Sequence, residues 1–122
     1  MYHLPHGVAV AVGLDAAIEW NVAGAPTAYA TAASAFDASP SDVPAVLRDL
    51  FAASRFPVVV ARMGDVDLDA GAIAEVMVAV ENQPMVDNNS RVPDDDERMM
   101  LAERTVESWR RLRADAVSIA AS

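Results

Sequence analysis

The sequence contains no cysteine and no lysine, and it has few aromatic residues and few glycines. Without cysteine there is no disulfide framework, no thiolate metal site and no cysteine nucleophile, so any bound metal must be held by nitrogen and oxygen. All nine basic residues are arginines, and they are outnumbered by eighteen carboxylates, which gives a net charge of -9. Because that charge repels an extended phosphate backbone, we expect no nucleic-acid partner.

Long hydrophobic runs are also missing from the sequence. The longest one extends from Val8 to Ala17, is interrupted by Asp15, and is too short to cross a bilayer. The N-terminus has no basic flank of the kind that signal peptides carry. We therefore expect a soluble, cytoplasmic protein with no membrane partner.

What is present favours helices. The chain has 122 residues, which is enough for one hydrophobic core of ordinary size, so we predict a single domain spanning residues 1–122. Hydrophobic residues make up 53% of it, many of them alanines, and small residues build closely packed helices better than sheets. The predicted fold class is all-α, a bundle of about five helices.

The only two histidines, His3 and His6, lie where the first helix is expected to begin. Pro5 suits a helix start, which places His6 in or beside the first turn, where the helix dipole favours the neutral imidazole that binds metals. His3 precedes Pro5 and cannot share a helical face with His6. Since zinc and iron sites need three or four ligands, the residues alone favour a structural histidine and leave a ligand role for His6 open.

The first two helices are predicted from small and apolar residues. The helix from His6 to about Trp20 is apolar all round, which is typical of a buried helix, and residues 21–25 form its exit. The second helix is predicted from Pro26 to Phe36, with a buried face of Tyr29, Ala32, Ala33 and Phe36.

The middle of the chain predicts a third helix and a connector. Ser41 is the expected N-cap. The segment Phe56 to Met63 contains strand-forming valines, but it is short and isolated, so it is interpreted as a connector that ends at Gly64. One face of the third helix carries Val43, Val46, Leu47, Leu50, Phe51 and Ser54.

The acidic run Asp65 to Asp69 has two interpretations. A calcium loop would need a glycine and a glutamate at fixed later positions, which Gly71 and Glu75 do not occupy. The favoured interpretation is the start of a helix, because aspartates there complement the helix dipole. That helix is expected to bury Ile73, Val76, Met77 and Val80 and to be stopped by Asn82 and Pro84.

The last helix has the charge order that the macrodipole favours. Asp94 to Glu97 open it, arginines follow late, and Glu107 is expected to pair with Arg111 one turn on. Arg110, Arg111 and Arg113 are interpreted as a solvated helix end, with an anion patch as the less favoured alternative. The predicted buried side consists of Met99, Ala102, Val106, Trp109, Leu112 and Ala116.

Motifs for nucleophilic catalysis or nucleotide binding do not occur. The sequence has no G-x-S-x-G turn, no phosphate loop and no G-x-G-x-x-G fingerprint. The residues by themselves therefore assign no catalytic and no cofactor-binding group.

The stretch Tyr2 to Asn21 resembles the iron-containing alcohol dehydrogenases. It contains Leu-Pro-His-Gly at residues 4–7, followed by a small-residue helix and by Trp-Asn ahead of Ala-Gly-Ala-Pro. In that family a Pro-His-Gly motif opens a helix of the C-terminal domain, and its histidine binds the catalytic divalent metal. Later similarities are Pro26-Thr-Ala-Tyr-Ala, Phe56-Pro57, Met63-Gly64 and Asn88-Asn89-Ser90-Arg91, in which Ser90 stands where the family usually has proline.

The resemblance implies a C-terminal fragment or domain of an oxidoreductase that interconverts alcohols and aldehydes by hydride transfer. His6 would be one ligand of iron or zinc, while the family's further ligands and its NAD(P)-binding domain lie upstream of Pro-His-Gly and have no counterpart here. The expected partners are that nucleotide-binding domain, in cis or as a separate chain, and a small alcohol or aldehyde; a homo-oligomer is also allowed. Alone, the chain is expected to bind neither metal nor NAD(P) tightly and to be inactive.

Two groups of alternatives stay open. Dehydroquinate synthase-like, glycerol dehydrogenase-like and maleylacetate reductase-like enzymes share much of this pattern. A non-catalytic helical interaction module, which would be stably folded and hold no metal, belongs to another class of function. If a partner domain normally covers the helix that begins at His6, its removal should leave an apolar patch.

Overall fold

Every regular element in the described part of the chain is helical. The computed structural model describes residues 5–63, 66–79, 82–84 and 91–121, and these ranges contain six main α-helices and no strand. The all-α prediction is confirmed, with one helix more than expected. The helices are α1 (His6–Gly24), α2 (Pro26–Ser34), α3 (Val43–Ala53), α4 (Phe56–Ala61), α5 (Ala70–Met77) and α6 (Asp95–Ala121), and a 3₁₀ turn (Pro40–Asp42) precedes α3.

The long helix α6 is the element on which the core is built. Helices α1, α4 and α5 all pack against it. The predicted buried side of this helix is confirmed except at Met99, which is 41% exposed. The core cluster consists of Val8 and Val12 from α1, Val60 from α4, Leu68 ahead of α5, and Val106, Trp109, Leu112 and Ala116 from α6.

Helix α1 is buried on one side only, so the prediction of a helix buried all round is wrong. Its inner side packs against α3 and α6, whereas Val10 and Leu14 on its outer side are 53% and 40% exposed. The helix also extends past Trp20 to Gly24, where the N–H of Ala25 closes it on the carbonyls of Asn21 and Val22. An apolar sequence does not specify how many sides of a helix have neighbours, and here no described element covers the outer one.

In the described part of the chain, no single helix is long and apolar enough to cross a bilayer. Helices α1 and α2 reach the necessary length and hydropathy only together, and they are bent by 116° with respect to one another.

Helix α2 ends earlier than predicted and buries less. It stops at Ser34, Phe36 beyond it is 53% exposed, and only Ala33 of the expected face is buried. Asp37 adopts a positive φ of 53°, and the N–H of Ala38 bonds to the carbonyl of Ala33 at 3.0 Å. This left-handed closure satisfies a terminal carbonyl and turns the chain out of the helix before Phe36 can reach the core.

The predicted N-cap at Ser41 is wrong: the capping box ahead of α3 starts the 3₁₀ turn at Ser39, and the residue directly before α3 is Asp42. Asp42 Oδ2 accepts hydrogen bonds from the backbone N–H of Ser39 at 3.0 Å and from its hydroxyl at 2.8 Å. Pro40 occupies the first helical position, where its missing N–H costs nothing, so the capping position is the residue before it. On the predicted face of α3, Phe51 packs against the core, while Leu50 is 49% exposed.

The segment predicted to be a connector is helix α4. Phe56–Ala61 forms regular helix, with Pro57 in the first turn, where proline is tolerated. Val60 is fully buried in the core beside α6, and Phe51 and Phe56 stack with ring centroids 5.1 Å apart. Burial against α6 thus outweighs the preference of consecutive valines for extended backbone.

Helix α5 begins as predicted but is shorter and more exposed. The carboxylate of Asp69 accepts a hydrogen bond from the N–H of Ala72 at 2.8 Å, which confirms helix-start chemistry at this residue; Asp65 lies outside the described residues. The helix ends at Met77 rather than near Asn82. The expected buried stripe is wrong, because no residue of α5 is buried; Ile73 packs against the core, Val76 is 40% exposed and Val80 is not described.

The one-sided burial of α1 gives a matched pair of substitutions. Val12→Ala removes two methyl groups from a site that is 1% exposed, and we expect it to lower the free energy of unfolding by about 2 kcal/mol. Val10→Ala, on the outer side of the same helix, should change it by less than about 0.5 kcal/mol. Urea unfolding followed by circular dichroism measures both, and equal effects would contradict the described orientation of α1.

The Ser39–Asp42 cap predicts a pH dependence. The hydrogen bonds from the Ser39 side chain and backbone lower the pKa of Asp42 below its usual value of 3.8. The cap therefore stabilises the fold fully above the unfolded-state pKa and loses its contribution as pH falls through the lower, folded-state pKa. Ser39→Ala removes the hydroxyl donor, so NMR titration should show the Asp42 pKa moving up toward 3.8; an unchanged pKa would contradict the cap.

Candidate functional site

His6 is the first residue of α1 and is exposed to solvent. Pro5 precedes the helix with φ -54° and ψ 143°, and its carbonyl accepts the N–H of Ala9 at 3.0 Å. The predicted helix start at Pro-His-Gly is therefore confirmed. Among the described residues, a Cβ added at Gly7 would meet nothing within 4 Å, so there is open space beside this glycine. His3 lies outside the described residues.

An exposed strip, formed by His6 and two apolar residues, runs along the outer side of α1. We call His6, Val10 and Leu14 the α1 strip; they are spaced four residues apart and all three are exposed. In the part of the chain that the structure describes, no three His, Asp or Glu side chains lie together in a way that could hold a metal ion. The α1 strip therefore presents a single accessible imidazole, and further ligands of a metal site would have to come from elsewhere.

Asp15 is the buried charge on the opposite side of α1. Its side chain is fully buried, and its two oxygens accept from different helices: Oδ1 from Arg48 Nε of α3 at 3.2 Å, and Oδ2 from Arg111 of α6. Arg48 also reaches the exposed Glu19 at 3.4 Å. Since both oxygens of Asp15 are engaged, this carboxylate ties three helices together and is not available to a ligand.

Glu97 is the centre of a second polar cluster, at the other end of α1. Its Oε2 accepts from the indole N–H of Trp20 at 2.8 Å and from Arg91 at 2.9 Å. Arg91 also donates to the carbonyl of Trp20 at 2.9 Å, and its guanidinium carbon lies 4.0 Å from the centroid of the Trp20 ring. The cluster joins the end of α1 to the segment that leads into α6.

The same glutamate caps α6. The N–H of Glu97 donates to Asp94 Oδ1 at 2.8 Å, and Glu97 Oε1 lies 3.3 Å from the N–H of Asp94. This reciprocal arrangement is a capping box, which satisfies two backbone donors at a helix start. Both carboxylate oxygens of Glu97 are therefore used for structure, one in the cap and one in the cluster with Trp20 and Arg91.

The three late arginines do not form one patch or a helix end. Helix α6 continues to Ala121, so Arg110, Arg111 and Arg113 lie within it and its last turn carries no basic residue. Arg111 pairs with Asp15 rather than with Glu107 as predicted, because a buried carboxylate is a stronger partner than an exposed one. Arg110 lies 3.8 Å from Asp67, with both side chains largely exposed.

Residue patterns missed both structural centres. From the residue pattern alone, Asp15 is only an interruption of an apolar run, and Glu97 is only one of four acids at a helix start. A usable signal existed for Asp15, because a lone carboxylate in an apolar helix must find a partner when it is buried. Nothing in the residue pattern said which of the nine arginines would serve.

Comparison with known proteins adds no relative: no family model matches the chain, and neither the curated proteins nor the solved structures contain a match. Function is therefore inferred from the residues, their geometry and the Pro-His-Gly resemblance.

The Asp15 pairing generates a stability prediction. Asp15→Asn keeps the shape but removes the charge that both arginines contact, and because those arginines are partly exposed and can rehydrate, we expect a loss of about 2–3 kcal/mol. Glu19→Gln, which alters the exposed partner of Arg48, should cost less than about 0.5 kcal/mol. Denaturant unfolding of the two variants distinguishes these outcomes; a similar cost for both would mean that Asp15 does not join the helices.

Proposed function

We propose that this chain is the metal-side helical domain of an iron-containing alcohol dehydrogenase-like oxidoreductase, which interconverts alcohols and aldehydes with NAD(P). The observation that carries the proposal is the accessible imidazole of His6 at the first position of α1, directly after Pro5 and before Gly7. In such an enzyme His6 would be one ligand of the metal, which when bound would supply Lewis-acid activation of the substrate oxygen for hydride transfer with NAD(P).

The described residues supply part of a metal site and do not complete one. His6 offers one nitrogen ligand, whereas zinc and iron sites take three or more protein ligands, and the described residues contain no group of three that could hold a metal ion. Under the proposal the remaining ligands belong to a partner domain, in cis or in a separate chain. No catalytic step is assigned to this chain alone, and we expect it to be inactive in isolation.

The α1 strip supports a partner on this side of the molecule. Val10 and Leu14 continue the exposed side of the helix one and two turns beyond His6. Exposed apolar residues that adjoin one another are typical of contact surfaces. A domain that contributed the other metal ligands would have to approach His6 along this side, and it would cover the two apolar residues as it did so.

The rest of the fold holds α1 in a fixed position. Asp15 ties the middle of the helix to α3 and α6, and Trp20 ties its far end to Arg91 and Glu97. A ligand needs a rigid support to meet a metal with correct geometry. Two anchored points along one helix provide such a support for the His6 end.

Metal binding by His6 can be tested directly, because the chain has only two histidines. We expect addition of excess Zn²⁺ to shift the imidazole NMR signals of His6, with weak affinity because one ligand is available. His6→Ala should abolish the response, and the control His3→Ala should preserve it. Two outcomes would contradict the ligand role: the His6 signals of the wild type do not respond to Zn²⁺, or the His6→Ala variant binds Zn²⁺ as the wild type does.

The oxidoreductase part of the proposal needs a partner domain. When the chain is produced together with a nucleotide-binding domain encoded in the same reading frame or beside it, we expect metal-dependent reduction of an aldehyde by NAD(P)H. His6→Ala should remove that activity, while Glu19→Gln, at an exposed residue of α1 outside the α1 strip, should leave it intact. A stable complex that binds no metal and reduces no aldehyde would favour the helical interaction module instead, and turnover by the chain alone would contradict the incomplete site.

A further inference from the structure

Helix α6 has one side that no described helix covers. Its other sides meet α1, α4 and α5. The uncovered side carries residues at spacings of three and four, all of them exposed, and acidic side chains precede the basic one along it. We call this set the α6 stripe: Met99, Glu103, Glu107, Arg110, Ala114 and Val117.

We propose that the α6 stripe binds the α6 stripe of a second copy of this chain, with the two helices antiparallel and related by a two-fold axis near Glu107. In that arrangement Arg110 of each copy lies level with Glu103 and Glu107 of the other. A two-fold axis makes the contact occur twice, once on each side of the axis. The proposal does not depend on the oxidoreductase function, since the stripe lies on α6 and not on α1.

The order of charges along the α6 stripe favours a second copy of this chain as the partner, with its α6 running antiparallel. Two copies that each carry a net charge of -9 repel one another, so a self-contact needs local attraction to offset that repulsion. Antiparallel helices bring Arg110 to the glutamates of the other copy. Parallel helices in register would instead place Arg110 against Arg110 and every glutamate against a glutamate, whereas in the antiparallel arrangement only the two Glu107 side chains meet a like charge, with Arg110 of the other copy one turn away.

Arg110 is accessible for such a contact. Within the chain its ion pair with Asp67 is 3.8 Å long, and the two side chains are 67% and 91% exposed. Ion pairs this exposed contribute little to stability, so an exchange of Asp67 for glutamates of a second copy costs little. Glu103 and Glu107 are likewise exposed.

The surface beside the stripe is grooved along its length. One groove of about 370 Å³ lies between Glu103 and Glu107 of α6 on one side and the segment 68–70 on the other. A second groove of about 670 Å³ lies between Ala114 and Val117 of α6 and the segment 66–67. Arg110 lines both, so the two grooves follow one another along α6. A ridge of side chains from a second helix can lie in a depression of this kind.

Charge reversal tests the proposal with two single variants. Sedimentation velocity over a range of concentrations should show the wild type in a monomer–dimer equilibrium. Arg110→Glu and Glu103→Arg should each raise the dissociation constant by at least about tenfold, because each creates like-charge contacts on both sides of the axis. Arg55→Glu, which reverses an exposed arginine directly before α4, is the matched control and should dimerise like the wild type.

Mixing the two variants provides the decisive measurement. An equimolar mixture of Arg110→Glu and Glu103→Arg pairs opposite charges at these positions again, so it should dimerise more strongly than either variant alone. Circular dichroism establishes that each variant is folded. A wild type that stays monomeric at the highest concentration, an Arg110→Glu variant that dimerises normally, or a mixture that associates no better than its components would overturn the proposal.

Discussion

The buried carboxylate of Asp15 is the constraint on which the arrangement of the helices depends. A charged group with no exposed surface must be paired, and Asp15 is paired twice, with arginines from two other helices. Hydrophobic contacts between α1 and α6 are non-directional and would tolerate sliding or rotation of α1. The two ion pairs do not tolerate such movement, because each of them fixes one oxygen of Asp15 to an arginine of a different helix. The side of α1 that faces the core, and hence the side that is left uncovered, follows from this pairing.

The sequence predicted the class of the fold and the element at its centre well. The buried side of α6 was correct at Ala102, Val106, Trp109, Leu112 and Ala116, because a long amphipathic helix with acids at its start leaves little ambiguity. The helix start at His6 was also correct, since a proline at a helix start is a local signal. Each of these features is decided by residues that are close together in the chain.

The errors occurred where distant parts of the chain decide the outcome. The valines of α4 are helical because Val60 is buried beside α6, and an isolated segment carries no sign of that neighbour. The partner of Arg111 was predicted one turn away and lies on another helix instead. For the candidate site, residue patterns located His6 and its exposed turn, but they could not say that the described residues bring no three metal ligands together, because that depends on tertiary packing.

The close approach of Arg91 to Gly24 has a consequence for the evolution of this fold. A Cβ at position 24 would lie 2.5 Å from Cδ of Arg91, so any larger residue there would displace the arginine from Trp20 and Glu97. Substitution at either position therefore changes what is permitted at the other. Among homologous chains, glycine at position 24 should be retained wherever the arginine is retained, and it should become variable once the arginine is lost.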